Sequence, residues 1–297
     1  MKYKYIVAGI SIINDIYYVD GSVKKNRLGG CAVYAYGGIS LFSDSVLFLS
    51  TGGKDFFDYY GDYFERNNIS KEGIYLDLPF THHTELIYEK DSTWHEKSIY
   101  GDDYFSLQSE NNRTSLEKLK PFLSKDTKGL YLDSAAHEKI FEEIDEIRKL
   151  SPNIKIMWEP PSFSSKDSSM HNRILENLNK VDYYSMNIDE ASSFFMVDED
   201  QIIEKIIELN IPCFLRKGEK GSSWIEETIV TSCDAIEVGK AVDVTGCGNT
   251  SAAAALYWKI EGKSYEDIVY NANKAASISS KYEGPIYLIE KHHEFNS

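Results

Sequence analysis

The densest run of chemically useful residues in this chain is Asp243-Val244-Thr245-Gly246-Cys247-Gly248-Asn249-Thr250-Ser251, followed by the small-residue stretch Ala252 to Tyr257. It reads as a glycine-rich turn entering a helix. Glycines at 246 and 248 allow the backbone to approach a ligand closely. The first turn of a helix also leaves amide groups without partners at the positive end of the helix dipole. Anionic oxygen, phosphate above all, suits such a place. The same letters also describe a tight turn whose small-residue helix packs closely on a sheet, and the local pattern alone leaves both readings open. Cys247 is either a thiol activated by the helix start or a small residue standing where alanine would fit, and the second reading is preferred.

The rest of the chain supplies elements that could carry such a turn. Strand-like runs at Tyr5 to Gly9, Val46 to Ser50, Gly129 to Leu132, Ile154 to Trp158, Tyr183 to Met186 and Pro212 to Leu215 alternate with helix-like segments. That alternation predicts βαβ units and a parallel sheet. Ile140, Ile144, Ile147 and Leu150 recur at three- and four-residue spacing, as do Ile202, Ile203, Ile206 and Ile207, so both segments read as helices with one buried stripe. Residues 12–27 and 73–101 break the alternation with short strand-like runs and no helix between them, which predicts a small separate sheet placed as a lid over a ligand site.

The chain has 297 residues, 42% hydrophobic and 27% charged, with no low-complexity stretch, so a single large domain is expected over residues 1–297. A formal net charge of −15 without long single-sign runs argues against a nucleic-acid partner. An anionic substrate must then be held by local geometry against the overall field. No segment resembles a signal peptide or a membrane span, so a cytoplasmic protein is expected. Cys31, Cys213, Cys233 and Cys247 show no C-x-x-C spacing, which disfavours a zinc ribbon or a redox pair. There is no G-x-x-x-x-G-K-[ST] and no dinucleotide fingerprint after the first strand. His82, His83 and His95 fall in the lid, and His292 and His293 in the terminal tail.

Placed in this order, the motifs resemble those of the PfkB (ribokinase-like) family of carbohydrate kinases. The turn at 243–249 resembles the family's C-terminal signature, D-T-x-G-A-G-D, except that Asn249 stands where the family carries its catalytic aspartate. Gly29-Gly30 resembles the N-terminal G-G signature, Ser50 to Phe56 a glycine-containing region before a helix, Asn187 to Glu190 the N-x-x-E motif, and Gly218 to Gly221 the nucleotide-side G-x-x-G turn. Asn271 to Ala276, with Asn273, resembles the late helix near the adenine. The resemblance implies a three-layer α/β/α fold with a mostly parallel central sheet and a small β-sheet lid. It implies ATP and Mg²⁺ as cofactors, with Asn187 and Glu190 on the metal side, Gly218, Gly221 and Asn273 on the nucleotide side, and Gly246, Cys247 and Gly248 around the transferred phosphoryl group. Gly29, Gly30 and one of Asn14 or Asp15, Asp15 being favoured, would hold the sugar. Asp243 would hold its loop or offer its carbonyl to a monovalent cation. Glu159, in Trp158-Glu159-Pro160-Pro161, stands in a stretch where the family has a carboxylate, and is read here as ending its strand. A homodimer through the lid follows by family analogy alone.

Asn249 decides between two functions. Phosphoryl transfer depends chiefly on alignment and charge neutralisation, and an amide can orient a hydroxyl but cannot take its proton. Losing a general base costs on the order of 10²–10⁴ in rate, roughly 3–5 kcal/mol of transition-state stabilisation. The first expectation is an ATP-dependent kinase acting on a hydroxymethyl group of a sugar or nucleoside. The second is a sugar- or nucleotide-binding regulatory protein that has lost turnover.

Overall fold

The computed structural model describes residues 3–89, 94–101, 104, 114–236, 239 and 241–285. The tail histidines, His292 and His293, lie outside them. In chain order the strands are β1 (Tyr5–Ala8), β2 (Ile12–Tyr17), β3 (Val23–Gly29), β4 (Val46–Gly53), β5 (Ile74–Leu78), β6 (His83–Tyr88) and β7 (Trp94–Ser98). There follow β8 (Gly129–Asp133), β9 (Lys155–Glu159), β10 (Tyr183–Asn187), β11 (Cys213–Arg216), β12 (Ser222–Glu226) and β13 (Ile229–Cys233). Nine of these form one sheet in the order β13-β12-β11-β10-β9-β8-β1-β4-β5. From β5 to β11 every neighbouring pair is parallel, and β12 and β13 close the far edge antiparallel. The expected alternation of strands and helices is therefore present.

Side-chain alternation along the strands builds a core on each face of this sheet. Ile6, Leu130, Ile156, Tyr184 and Leu215 pack with Ile144, Ile147, Ile202 and Ile206 from helices on one side. Tyr5, Val7, Tyr131, Met157 and Phe214 pack on the other side with Ala32, Val33, Tyr60, Ala252, Ala255 and Ala272. The result is three layers. The first predicted stripe is broken, with a 3₁₀ turn at Lys139–Glu142 ahead of the helix Ile144–Leu150, and Leu150 is left exposed.

The lid is a second sheet in the order β3-β2-β6-β7. It is smaller than expected in one respect: Ile74–Leu78, expected within it, is instead the edge strand of the main sheet, parallel to β4. The physical reason is contact with β4. A Cβ on Gly73 would meet the Phe48 carbonyl oxygen at 2.2 Å, so only glycine lets the chain run in close beside β4 before β5 begins. The Tyr60 hydroxyl fixes the root of the lid, lying 2.7 Å from the Gly29 carbonyl and 3.0 Å from that of Ile12.

Candidate active site

The expected helix is present but begins earlier than the small-residue stretch Ala252 to Tyr257, running over Cys247–Ile260 with Gly246 as its N-cap at φ 72. That left-handed value favours glycine, and so does the space: a Cβ at Gly246 would sit 2.0 Å from the Tyr34 ring. The amide groups of Gly246, Gly248 and Asn249 find no acceptor among the described residues. Cys247 differs from its expected part, since its amide closes on the Val244 carbonyl at 3.2 Å. Its thiol lies 3.4 Å from the Ala276 carbonyl, and burial pushes it up to about 11, which suits a packing residue. Asp243 holds the loop, its carboxylate accepting the Thr245 amide at 2.9 Å and the Gly284 amide at 3.3 Å. A cleft opens beside this turn, lined by Asp243, Val244 and Thr245 below and by Ile16, Tyr18 and Tyr88 of the lid above.

Asn249 faces a set of polar side chains projecting from the carboxyl ends of the central strands. Its amide nitrogen lies 3.2 Å from Glu159 Oε1 and 3.3 Å from the Tyr131 hydroxyl. Tyr131 in turn donates to Glu159 Oε2. Arg216, at the end of β11, places Nη2 2.8 Å from Glu159 Oε1 and 3.1 Å from Glu190 Oε2, and its Nε donates to Ser185 at 3.1 Å. Nη1 has no acceptor among the described residues, and it lies where a Cβ on Gly248 would approach to 2.1 Å. A guanidinium thus stands beside the free amides of the turn, held in a fixed orientation by two carboxylates.

Burial governs the electrostatics. Glu159 is only 6% exposed, and burial raises its proton affinity against the opposing pull of Arg216. Asp133, beside Glu159 in the β8–β9 register, is pushed up to about 7 by burial; the Ile10 amide, donating at 3.3 Å, works against this and the Glu159 charge adds to it. Burial disfavours the charge on Arg216, but Glu159 and Glu190 more than offset it and keep the guanidinium protonated. Cys31 is raised well above the ordinary thiol value by burial, then by Asp133 and Glu159.

Asn187 and Glu190 form a reciprocal capping box at the start of the helix Ile188–Phe195. The Asn187 side chain accepts the Glu190 amide at 2.9 Å, and Glu190 Oε2 accepts the Asn187 amide at 2.7 Å. Glu190 Oε1 accepts the Ser162 hydroxyl, and Arg216 fills the space between Glu190 and Glu159. Direct ligation of Mg²⁺ by Asn187 and Glu190 does not fit this arrangement, because the Arg216 guanidinium already stands 3.1 Å from Glu190 Oε2. No cluster of three or more His, Cys, Asp or Glu side chains suited to a metal occurs among the described residues.

The residues expected on the nucleotide side begin two positions after Arg216. Gly218 and Gly221 flank the 3₁₀ turn after β11. Asn273 is a structural tie: its oxygen accepts from Ser222 at 2.7 Å, and its nitrogen donates to the carbonyls of Cys233 and Asp234 at 2.9 and 3.0 Å. Every polar atom of that side chain is used. On the sugar side, Gly30 has φ 88, and a Cβ there would meet the Ile10 carbonyl at 2.3 Å. Asp15 is spent within the lid, accepting the Asn26 amide at 2.9 Å and lying 3.1 Å from His83 Nε2. Asn14 is the one beside Gly29, its nitrogen 2.4 Å from where a Cβ on that glycine would stand. The geometry favours Asn14 over Asp15 as the polar group facing the glycine pair. His95 is an exposed lid residue 3.5 Å from Glu89.

Sequence reasoning passes over Tyr131, Asp133 and Arg216, and prefers Glu159 as a strand end to Glu159 as a functional carboxylate. Tyr131, Asp133 and Glu159 share the side-chain parity of Met157, and Arg216 that of Phe214, so all four point toward the helix Cys247–Ile260. The available signal is a polar residue closing an apolar run two positions after a core residue of that face.

Comparison with known proteins agrees with this fold. The family model for the pfkB family carbohydrate kinase matches residues 14–292. Among solved structures, the chain is similar to a nucleoside kinase of Methanocaldococcus jannaschii, described as an archaeal member of the ribokinase family (19% identity, TM-score 0.73, covering 99% of this chain and 98% of that one). It is similar to a probable sugar kinase from Rhizobium etli (16%, TM-score 0.78, 99% of each chain). A third is a fructokinase from Vibrio cholerae in a form with fructose, ADP and calcium ion bound (14%, TM-score 0.76, 100% of each chain). A search of curated proteins found no match. Among the described residues no helix is long and apolar enough to cross a membrane. With the family model spanning nearly the whole chain and the three-layer fold shared throughout, this protein belongs to the pfkB family of carbohydrate kinases.

Proposed function

We propose that this chain is an ATP-dependent phosphotransferase acting on a hydroxymethyl group of a sugar or nucleoside. The observation that carries the reading is the unpartnered amide set of Gly246, Gly248 and Asn249 with the Arg216 guanidinium beside it, in a turn whose preceding residues Asp243 to Thr245 line a cleft beneath the lid. These donors suit an equatorial phosphoryl oxygen, where charge is spread in a loose transition state. The Asn249 side-chain oxygen has no donor among the described residues while its nitrogen is anchored, so it can accept from the attacking hydroxyl and orient it. Asn14 and the Gly29-Gly30 backbone hold the acceptor from the lid side, and the turn Gly218 to Gly221 faces the nucleotide. Mg²⁺ and a monovalent cation are implied by the family, and no step of this mechanism runs through either. A homodimer formed through the lid belongs to the family reading, and a cytoplasmic location to the reading of the sequence.

The test is acceptor-dependent ADP release from ATP by the natural protein over a panel of sugars and nucleosides. Turnover with at least one acceptor, giving a phosphomonoester of a primary hydroxyl, is the expected result. Tight binding of ADP and of an acceptor without any turnover would replace this reading with that of a regulatory protein that binds the same ligands.

A further inference from the structure

The geometry points to Glu159 as the residue that takes the proton from the acceptor hydroxyl, in place of the aspartate absent at position 249. This rests on the phosphotransferase reading. Asn249 cannot accept that proton, yet its side chain is fastened to a carboxylate 3.2 Å away. The Asn249 oxygen shares its carbon with the nitrogen that makes this contact, so a hydroxyl held by the oxygen lies one amide group away from Glu159 Oε1. Three side chains from three strands or helices fix that carboxylate: Tyr131 on Oε2, and Arg216 and Asn249 on Oε1. Such fixation is what a group acting at a defined distance requires.

The step balances with groups present at the site. The acceptor oxygen attacks the γ-phosphorus and forms the new P–O bond. The bond from that phosphorus to the β,γ-bridging oxygen breaks, and ADP leaves with the electron pair. The hydroxyl proton passes to Glu159 and is released to solvent once the phosphorylated product departs. Arg216, losing the Glu159 charge on proton transfer, is left with Glu190 and the phosphoryl oxygens as its partners. The groups facing Glu159 are Arg216 from β11, Tyr131 and Asp133 from β8, Glu190 from the helix after β10, and Cys31 from the helix after Gly30. Asp133 is the rival carboxyl. It is fastened to the Ile10 amide rather than to Asn249.

The experiment compares the full-length natural protein with Glu159→Gln and Asp133→Asn, using ATP and the best acceptor of the panel. For Glu159→Gln the expected result is turnover slowed by about 10²-fold or more, with KM for the acceptor and Kd for ADP changed less than about 3-fold, and loss of the acid limb in the pH profile of kcat/KM. Asp133→Asn should retain that limb. Should Glu159→Gln fail to fold, Glu159→Asp keeps a carboxylate one methylene further back and should lower kcat while keeping the limb. Turnover by Glu159→Gln within about 5-fold of the natural protein, or transfer of the whole loss to Asp133→Asn, overturns the assignment while leaving the kinase reading intact. Absence of acceptor-dependent turnover by the natural protein overturns both.

Discussion

Replacing Asn249 with aspartate would supply the residue that the resemblance of the turn to the family's signature leads one to expect there, but the surroundings of the side chain argue that this brings no gain in turnover. The new carboxylate would lie about where the amide nitrogen is now, 3.2 Å from Glu159 Oε1. Two unit charges at that separation repel by roughly 5 kcal/mol at an effective dielectric constant of about 20, and a hydrogen bond worth about 1 kcal/mol is lost as well. Arg216 already divides its charge between Glu159 and Glu190 and cannot neutralise a third carboxylate. The pair relieves the repulsion by holding one proton between them. At low pH the variant is therefore close to the natural protein in stability. Because its proton affinity in the folded state exceeds that of an unfolded carboxyl, stability is lost as pH rises through the raised value. Urea denaturation at pH 5.5 and pH 8.5 should show a deficit that grows with pH, and turnover at pH 8 should not exceed that of the natural protein. Turnover faster by about 10²-fold or more, without a pH-dependent loss of stability, would refute the reasoning and return the role of base to position 249.

Two further outcomes follow from the same cluster. Gly248→Ala adds a methyl group where the Arg216 fork stands, at 2.1 Å from Nη1. Displacing the fork from a buried carboxylate pair costs about 3–5 kcal/mol, against a helix-propensity gain of about 1 kcal/mol, so urea denaturation should show net destabilisation and the turnover assay a lower kcat; a more stable variant would contradict the packing. Asp133→Asn removes a carboxyl moved from its ordinary value of 3.8 to about 7. In the natural protein that group makes stability fall between about pH 4 and pH 7, by at most roughly 4 kcal/mol, so the variant's denaturation midpoint should depend less on pH across that window, and an unchanged slope would place the carboxyl in water.

Much of this architecture is readable in the sequence because local signals and tertiary role coincide. The glycine-rich turn, the pair Gly29-Gly30 and the alternation of apolar runs are visible within short stretches, although the contacts that demand glycine at 246 and 248, with Tyr34 and Arg216, come from far along the chain. Ile74–Leu78 is misplaced by sequence reasoning because a short strand-like run carries no mark of which sheet it joins; a close pass of Gly73 beneath β4 decides that. Asn187 and Glu190 illustrate a motif with two meanings, since N-x-x-E is also the spacing of a capping box, and here both side chains are committed to it. Tyr131, Glu159, Ser185 and Arg216 converge from four strands far apart in the chain, and no local pattern brings them together. Only the parallel strand order and the common side-chain parity do so. Asn14 and Asp15 are adjacent in sequence, and the register of β2 against β3 and β6, with its irregularity between Asn14 and Ile16, determines which of them faces Gly29.

Everything proposed for this site depends on the turn at Gly246 to Asn249, with Arg216, holding the phosphoryl group in flight. A crystal structure of the protein with ADP and aluminium fluoride, a planar or near-planar mimic of that group, tests this most directly. Fluorine atoms are expected at about 3 Å from the Gly248 and Asn249 amides and from Arg216 Nη1, with ADP extending toward Gly218. A mimic bound elsewhere on the chain, with those amides and the guanidinium facing water, would contradict it.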